Sequence, residues 1–232
     1  MIKTENLYRI SFAYARLLFV CLLLVGSSFK GFAETENSTH FEQALSAYND
    51  GDLETSYIHL KNSLQQQPRN LPAKILIGKV LLESGYTLES EMELLEALEL
   101  GGDPSLIAKT LATALLLQQE YEDVNDLNFA KLTPKARTDL DVIKATARML
   151  NDQPLMANEM LNRVIASNPN NHEALDLLAD LEIQKGDLTK AQNYIDRATT
   201  LNPNSTTSIR IQGEIFEKQN NFVDAEKHTL PV

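Results

Sequence analysis

Hydrophobic and polar positions along this chain follow the helical period. Between residues 89 and 99, Glu89, Glu93 and Glu96 fall on one helix face and Leu94, Leu95 and Leu98 on another, a solvated stripe beside a core stripe. No alternating β-branched stretch is long enough to read as a strand, so the predicted class is all-α. The helices are short and come in antiparallel pairs, and Pro68, Pro169 and Pro203 each close one pair. Pro169 and Pro203 are 34 residues apart, and the same step from Pro68 reaches Gly102, another helix-ending residue.

On this period the chain divides into units 37–70, 71–104, 105–137, 138–171 and 172–205, with an incomplete sixth at 206–232. The first unit carries Ala44, the turn Asn49-Asp50-Gly51-Asp52, Ser56 and Pro68. The second carries Gly78, the Gly85-Tyr86 turn, Ser90, Ala97 and a Gly101-Gly102 stop. The fourth has Ala145, the Asn151-Asp152 turn, Ala157 and Pro169; the fifth has Ala179, Gly186-Asp187, Ala191, Ala198 and Pro203. Small residues let two helix axes approach where they cross. Gly ends a helix in the left-handed region without steric penalty, Asp or Asn caps the next helix, and Pro stops the second one.

A helix pair repeating every 34 residues resembles the tetratricopeptide repeat. The expected fold is therefore a tetratricopeptide-repeat αα solenoid, a right-handed superhelix of five to six repeats. The third unit is degenerate. Val124 and Asn128 replace the usual small and large apolar residues, and it ends at Leu132-Thr133-Pro134, one residue short of the period. The sixth starts at Thr206 with Gly213 and Phe216, reaches Asn220-Asn221 and Ala225, and stops. Such an end predicts either a piece of a longer array or an edge covered by another protein.

Residues 1–33 are of another kind. Lys3, Arg9 and Arg16 precede the apolar run 17–25, and Gly31-Phe32-Ala33 offers the small residues a signal peptidase reads, so cleavage is expected after Ala33, with the solenoid over 34–232. The run is about half of a membrane span, which favours a signal over an anchor. The expected location is exported and periplasmic, with membrane contact through partners or an uncleaved signal. Phe19-Val20 before Cys21, the one cysteine, is not the small pair that lipidation needs.

Net charge is −11, and the leader holds Lys3, Arg9, Arg16 and Lys30 against Glu5, so the remainder is more acidic still. Such a surface excludes nucleic acid, whose phosphates need a basic footprint. His40, His59, His172 and His228 show no metal-ligand spacing, and the chain has no nucleophile elbow, phosphate loop or dinucleotide fingerprint. Asp176 and Asp180 lie on one straight helix, which cannot wrap calcium. The expectation is no enzyme activity, no metal and no cofactor. Asn37-Ser38-Thr39 and Asn204-Ser205-Thr206 match the glycosylation acceptor pattern and carry little weight beside a bacterial-type signal.

In a solenoid of this kind the first helix of each unit lines the concave groove. That places Ile75, Lys79 and Leu82, then Lys109, Thr113 and Leu116, then Val142, Thr146 and Met149 along it. Glu173, Asp176, Asp180 and Ile183 follow, and then Arg210, Glu214 and Glu217. An apolar groove with isolated charges suits an extended peptide or a partner helix. The alternative is that part of the stripe is core. Lysine and asparagine places of the carboxylate-binding type of groove hold Phe41 and Leu45 here. Polysaccharide stands as a second partner class, weakened by the absence of tryptophan for stacking on sugars. An inert subunit that organises a catalytic partner is the third reading.

Three stretches go beyond the general repeat. They are Tyr57-Ile58-His59-Leu60-Lys61-Asn62-Ser63-Leu64 with Gln67-Pro68-Arg69-Asn70 and Ala73-Lys74-Ile75-Leu76-Ile77-Gly78; Glu96-Ala97-Leu98-Glu99-Leu100-Gly101-Gly102-Asp103-Pro104; and Ala114-Leu115-Leu116-Leu117-Gln118-Gln119-Glu120-Tyr121. From Phe41 to Ala225 the chain resembles the tetratricopeptide-repeat proteins of the PEP-CTERM system. The resemblance implies an exported Gram-negative envelope protein tied to exopolysaccharide production and exosortase sorting. Family members are longer and often lipidated, and this chain departs on both counts.

Overall fold

The computed structural model describes residues 39–219. The leader with Cys21, and the end of the sixth unit from Asn220 onward, lie outside the described residues. Those described form eleven helices and no strand. They are α1 (39–49), α2 (Leu53–Gln66), α3 (Leu71–Glu83), α4 (Thr87–Glu99), α5 (Pro104–Leu117), α6 (Tyr121–Asp126), α7 (Pro134–Leu150), α8 (Pro154–Ser167), α9 (His172–Lys185), α10 (Leu188–Leu201) and α11 (Thr206–Lys218). The helices fall into two bodies, divided between Gly85 and Tyr86.

Helix starts follow cap chemistry. The side chains of Asp52, Asn70, Asp103, Thr133, Asn171, Asp187 and Ser205 each accept a backbone N–H from the first turn of α2, α3, α5, α7, α9, α10 and α11 respectively. Left-handed residues sit at the turns that follow α1, α3, α4 and α9: Gly51, Gly85, Gly101 and Gly186. After α5 and α7 the same role falls to Gln119 (φ 65°) and Asp152 (φ 52°), where a Cβ makes this region unfavourable.

In the first body, Ala44, Leu60, Ala73, Ile77 and Val80 form the core of α1–α3, with Phe41, Tyr48, Leu53 and Leu64 against it. The buried Ser56 hydroxyl donates to the carbonyl of Ala44 at 2.9 Å, so the small residues at this crossing touch directly. Tyr48 donates to Glu83, and burial together with that carboxylate pushes its phenol up to about 12. His59 is half-buried and stacks on His40 with ring centroids 5.8 Å apart.

In the second body α5, α7 and α9 each pack on their own second helix and on the next first helix. One core joins α7, α8 and α9 through Val142, Ala145, Ala157, Leu161, Ala174 and Leu178. Another joins α9, α10 and α11 through Leu175, Ala179, Ile183, Ala191, Ile195, Ala198, Ile211 and Ile215. The alanines at the crossings (Ala112, Ala145, Ala157, Ala179, Ala191 and Ala198) are wholly inaccessible to solvent, as close axis approach requires.

The third helix pair departs from the rest. Its second helix, α6, has six residues, and Pro134, read from the sequence as the end of that pair, instead opens α7. Proline is favoured at a first helical position because its missing donor would be unpaired there anyway. The Lys144 amine of α7 donates to the carbonyls of Asn125 at 2.9 Å and Leu127 at 2.5 Å. A charged side chain thereby takes the carbonyls that further turns of α6 would have satisfied. Burial lowers the Lys144 ammonium below its ordinary value, with Asp141 acting against that.

Candidate functional site

The first helices of the second body, α5, α7, α9 and α11, pack on one another in sequence. Side chains tie them across one face. Lys109 of α5 reaches past α7 to Glu173 of α9, with Nζ and Oε1 4.0 Å apart. Ser208 of α11 donates to Asp176 of α9 at 2.7 Å, and Arg210 lies 3.7 Å from Asp180. Helices α5 and α9 are within side-chain reach although α7 lies between them, so this face is concave.

The expected groove residues divide by burial. Ile75 (8% exposed), Val142 (4%) and Asp176 (3%) are buried, and so is Ile183. Val142 and Ile183 belong to the cores just described, which removes them from any partner's reach. Met149 packs against the same core as Val142. Lys79 and Leu82 on α3, Thr113 and Leu116 on α5, Thr146 on α7 and Asp180 on α9 are half-buried, and Lys109 is exposed. Thr113 and Thr146 return their hydroxyls to the carbonyls four residues back, which leaves their methyls on the helix surface.

Burial dominates the electrostatics at the α9 end. It pushes the Asp176 carboxyl up, while the Ser208 hydrogen bond and His172 draw it down. Asp180 is also pushed up by burial, and Arg210 opposes this.

A second feature was not read from the sequence. A cleft of about 860 Å³ lies among α5, the first turns of α7 and α9, and the end of α8. Lys109, Arg137, Arg163, Asn168, Asn170 and His172 contribute to its walls. The sequence signal that points to it is Lys135 and Arg137 at the start of a helix in an otherwise acidic chain.

Helix pairs packed in this order, with small residues at the crossings and Pro or Gly at the ends, define an all-α tetratricopeptide-repeat solenoid. Residues 172–205 match the tetratricopeptide repeat family, over the interval read as the fifth unit. No curated protein matches the chain in sequence. Among solved structures it is similar to PilF of Pseudomonas aeruginosa, at 16% identity over 84% of this chain and 90% of that one, with a TM-score of 0.67. It is similar to PilW, described as a widely conserved type IV pilus biogenesis factor, at 15% identity over 83% and 90%, TM-score 0.65. A third is YrrB, described as a TPR protein with an unusual peptide-binding site, at 17% identity over 78% and 95%, TM-score 0.51. No described helix is long and apolar enough to cross a membrane.

Proposed function

We propose that this protein is a non-enzymatic protein–protein interaction scaffold. It holds an extended peptide or a partner helix against the face that α5, α7, α9 and α11 share. The observation that carries this reading is the Lys109–Glu173 approach across α7, which makes that face concave. Its lining of half-buried Thr113, Leu116 and Thr146 beside paired charges suits a peptide with apolar anchors. The fold shared with a protein described as having a peptide-binding site supports the same reading.

The setting we propose is the Gram-negative envelope, with the protein exported to the periplasm and serving exopolysaccharide assembly, export or protein sorting. The leader pattern over 1–33 and the resemblance to the PEP-CTERM-system proteins support it. The fold shared with a pilus biogenesis factor is compatible with an assembly role.

The test is affinity capture from cross-linked envelopes with the chain and its Leu116→Glu variant, with helicity checked in parallel. A partner recovered by the parent and lost by a helical variant is the expected result. Equal recovery by both would remove this face from the binding reaction, and loss of helicity would place Leu116 in the core.

A further inference from the structure

We infer that the cleft beside Arg137 and Arg163 takes an acidic segment of the bound peptide, so that the partner is recognised by its Asp or Glu carboxylates. The inference rests on the peptide-scaffold reading above and names the chemistry of the peptide.

Four cations line the cleft: Lys109, Lys135, Arg137 and Arg163. Lys135 is held by Asp139 at 2.6 Å, and Lys109 has Glu173 at 4.0 Å. Neither Arg137 nor Arg163 forms a salt bridge among the described residues. The third acid of the cleft, Asp141, lies near both arginines. It is half-buried, and burial pushes its carboxyl up against the pull of Arg137, Lys144 and Arg163. Two guanidinium groups therefore share one carboxylate that is reluctant to ionise, which leaves the cleft positive in a chain of net charge −11.

Guanidinium is the group suited to carboxylate. Its planar fork donates two parallel N–H bonds to two oxygens, and it gives up hydration more readily than an ammonium. Arg137 stands on the first turns of α7 and Arg163 on the last turns of α8, so the forks enter the cleft from different helices. Asn168 and Asn170 add amide donors from the loop between α8 and α9. The His172 Nδ1 atom is buried with no hydrogen-bond partner. The volume exceeds what one carboxylate fills and matches a short run of side chains. Forks from two helices favour several acidic side chains over a single terminal carboxylate.

Lys109 and Glu173 both line the cleft, and their approach across α7 is also what makes the face concave, so the cleft opens onto that face. A peptide lying along α5 and α9 thus brings its next residues to the arginines. An incoming carboxylate can also take Lys109 from Glu173, because a 4.0 Å pair with both side chains about half exposed is weakly held.

The experiment is fluorescence anisotropy on the full chain. The probes are a labelled peptide with a Glu-Asp-Glu core between leucines, and its Gln-Asn-Gln counterpart. The acidic peptide should bind about tenfold more tightly than the amide peptide, and its affinity should fall with added salt. The double variant Arg137→Gln, Arg163→Gln should lose that preference, while Lys190→Gln, which is not part of the cleft wall, should keep it. If the double variant loses helicity, the Arg137→Lys and Arg163→Lys single variants replace it. They keep the charge and lose the fork, and each should weaken acidic-peptide binding severalfold. Equal affinity for the two peptides, or an acidic preference unchanged by the arginine variants, overturns this inference and leaves the scaffold reading standing. Binding of neither peptide overturns both.

Discussion

Ser208 on α11 donates a 2.7 Å hydrogen bond to the carboxylate of Asp176 on α9, and both side chains are buried. A hydroxyl meets one lone pair of a carboxylate that water can scarcely reach. The bond fixes the spacing of two first helices and leaves the charge incompletely solvated. The folded form therefore favours the protonated acid, in keeping with the upward shift of Asp176.

Asp176→Asn keeps the acceptor for Ser208 and removes the buried charge. It should raise stability at neutral pH by about 1 kcal/mol, roughly 2–4 °C in Tm for a chain of this size. A raised folded-state value means that the contribution of the parent Asp176 is fully present below its ordinary value of 3.8. That contribution is lost as pH rises through the folded-state value. The Tm gap between variant and parent should thus be widest near neutrality and close as pH falls toward 4. Thermal melts across that range check it, and a gap that widens on acidification would contradict the assignment.

Lys144→Met keeps most of the packing stem and removes the donor to Asn125 and Leu127. Two carbonyls at the end of α6 lose a charged partner, at a cost of about 1–3 kcal/mol. Amide exchange should speed up over residues 121–127 more than in α9 or α10. Uniform change across all helices would count against a local capping role.

Gly102→Ala places a Cβ 2.7 Å from the carbonyl oxygen of Ala97 and 3.0 Å from Ile107 Cδ1. The first contact is with backbone, which has little room to move, so the variant should lose about 1–3 kcal/mol in urea unfolding. Substitution at Gln119 runs the other way. Gln119→Gly relieves a left-handed residue at φ 65° and should gain up to about 1 kcal/mol.

Tyr48 reports on the first body. With its phenol pushed up to about 12 by burial and by Glu83, it should ionise later than an exposed tyrosine. The stabilising contribution of the protonated phenol is complete below the ordinary 10.0 and is lost as pH rises toward about 12. Difference absorbance between the parent and Tyr48→Phe across pH 9–12 isolates this group. A midpoint near 10 would mean that the Tyr48–Glu83 bond does not persist in solution.

The sequence by itself determined what depends on neighbours along the chain. The turns at Gly51, Gly85 and Gly186 need a left-handed residue, Asp52, Asn171 and Asp187 need only the next turn's amides, and Pro169 and Pro203 bar further helix regardless of surroundings. Small residues such as Ala179 and Ala191 marked the crossings because no larger side chain fits there. With the 34-residue step, these carried the all-α repeat class.

Tertiary packing decided how each helix is rotated about its axis and what distant residues bring to it. Ile75, Val142 and Ile183 sit on helix faces that sequence spacing alone assigns to the groove, yet all three are buried. A modest rotation moves a residue from rim to core. The end of α6 was set by an amine arriving from α7, and the burial of Asp176 depends on a hydroxyl 32 residues further along. The basic cleft gathers side chains from four helices and an intervening loop. Periodicity records which residues share a face of one helix. It holds no record of which faces of different helices come to enclose the same space.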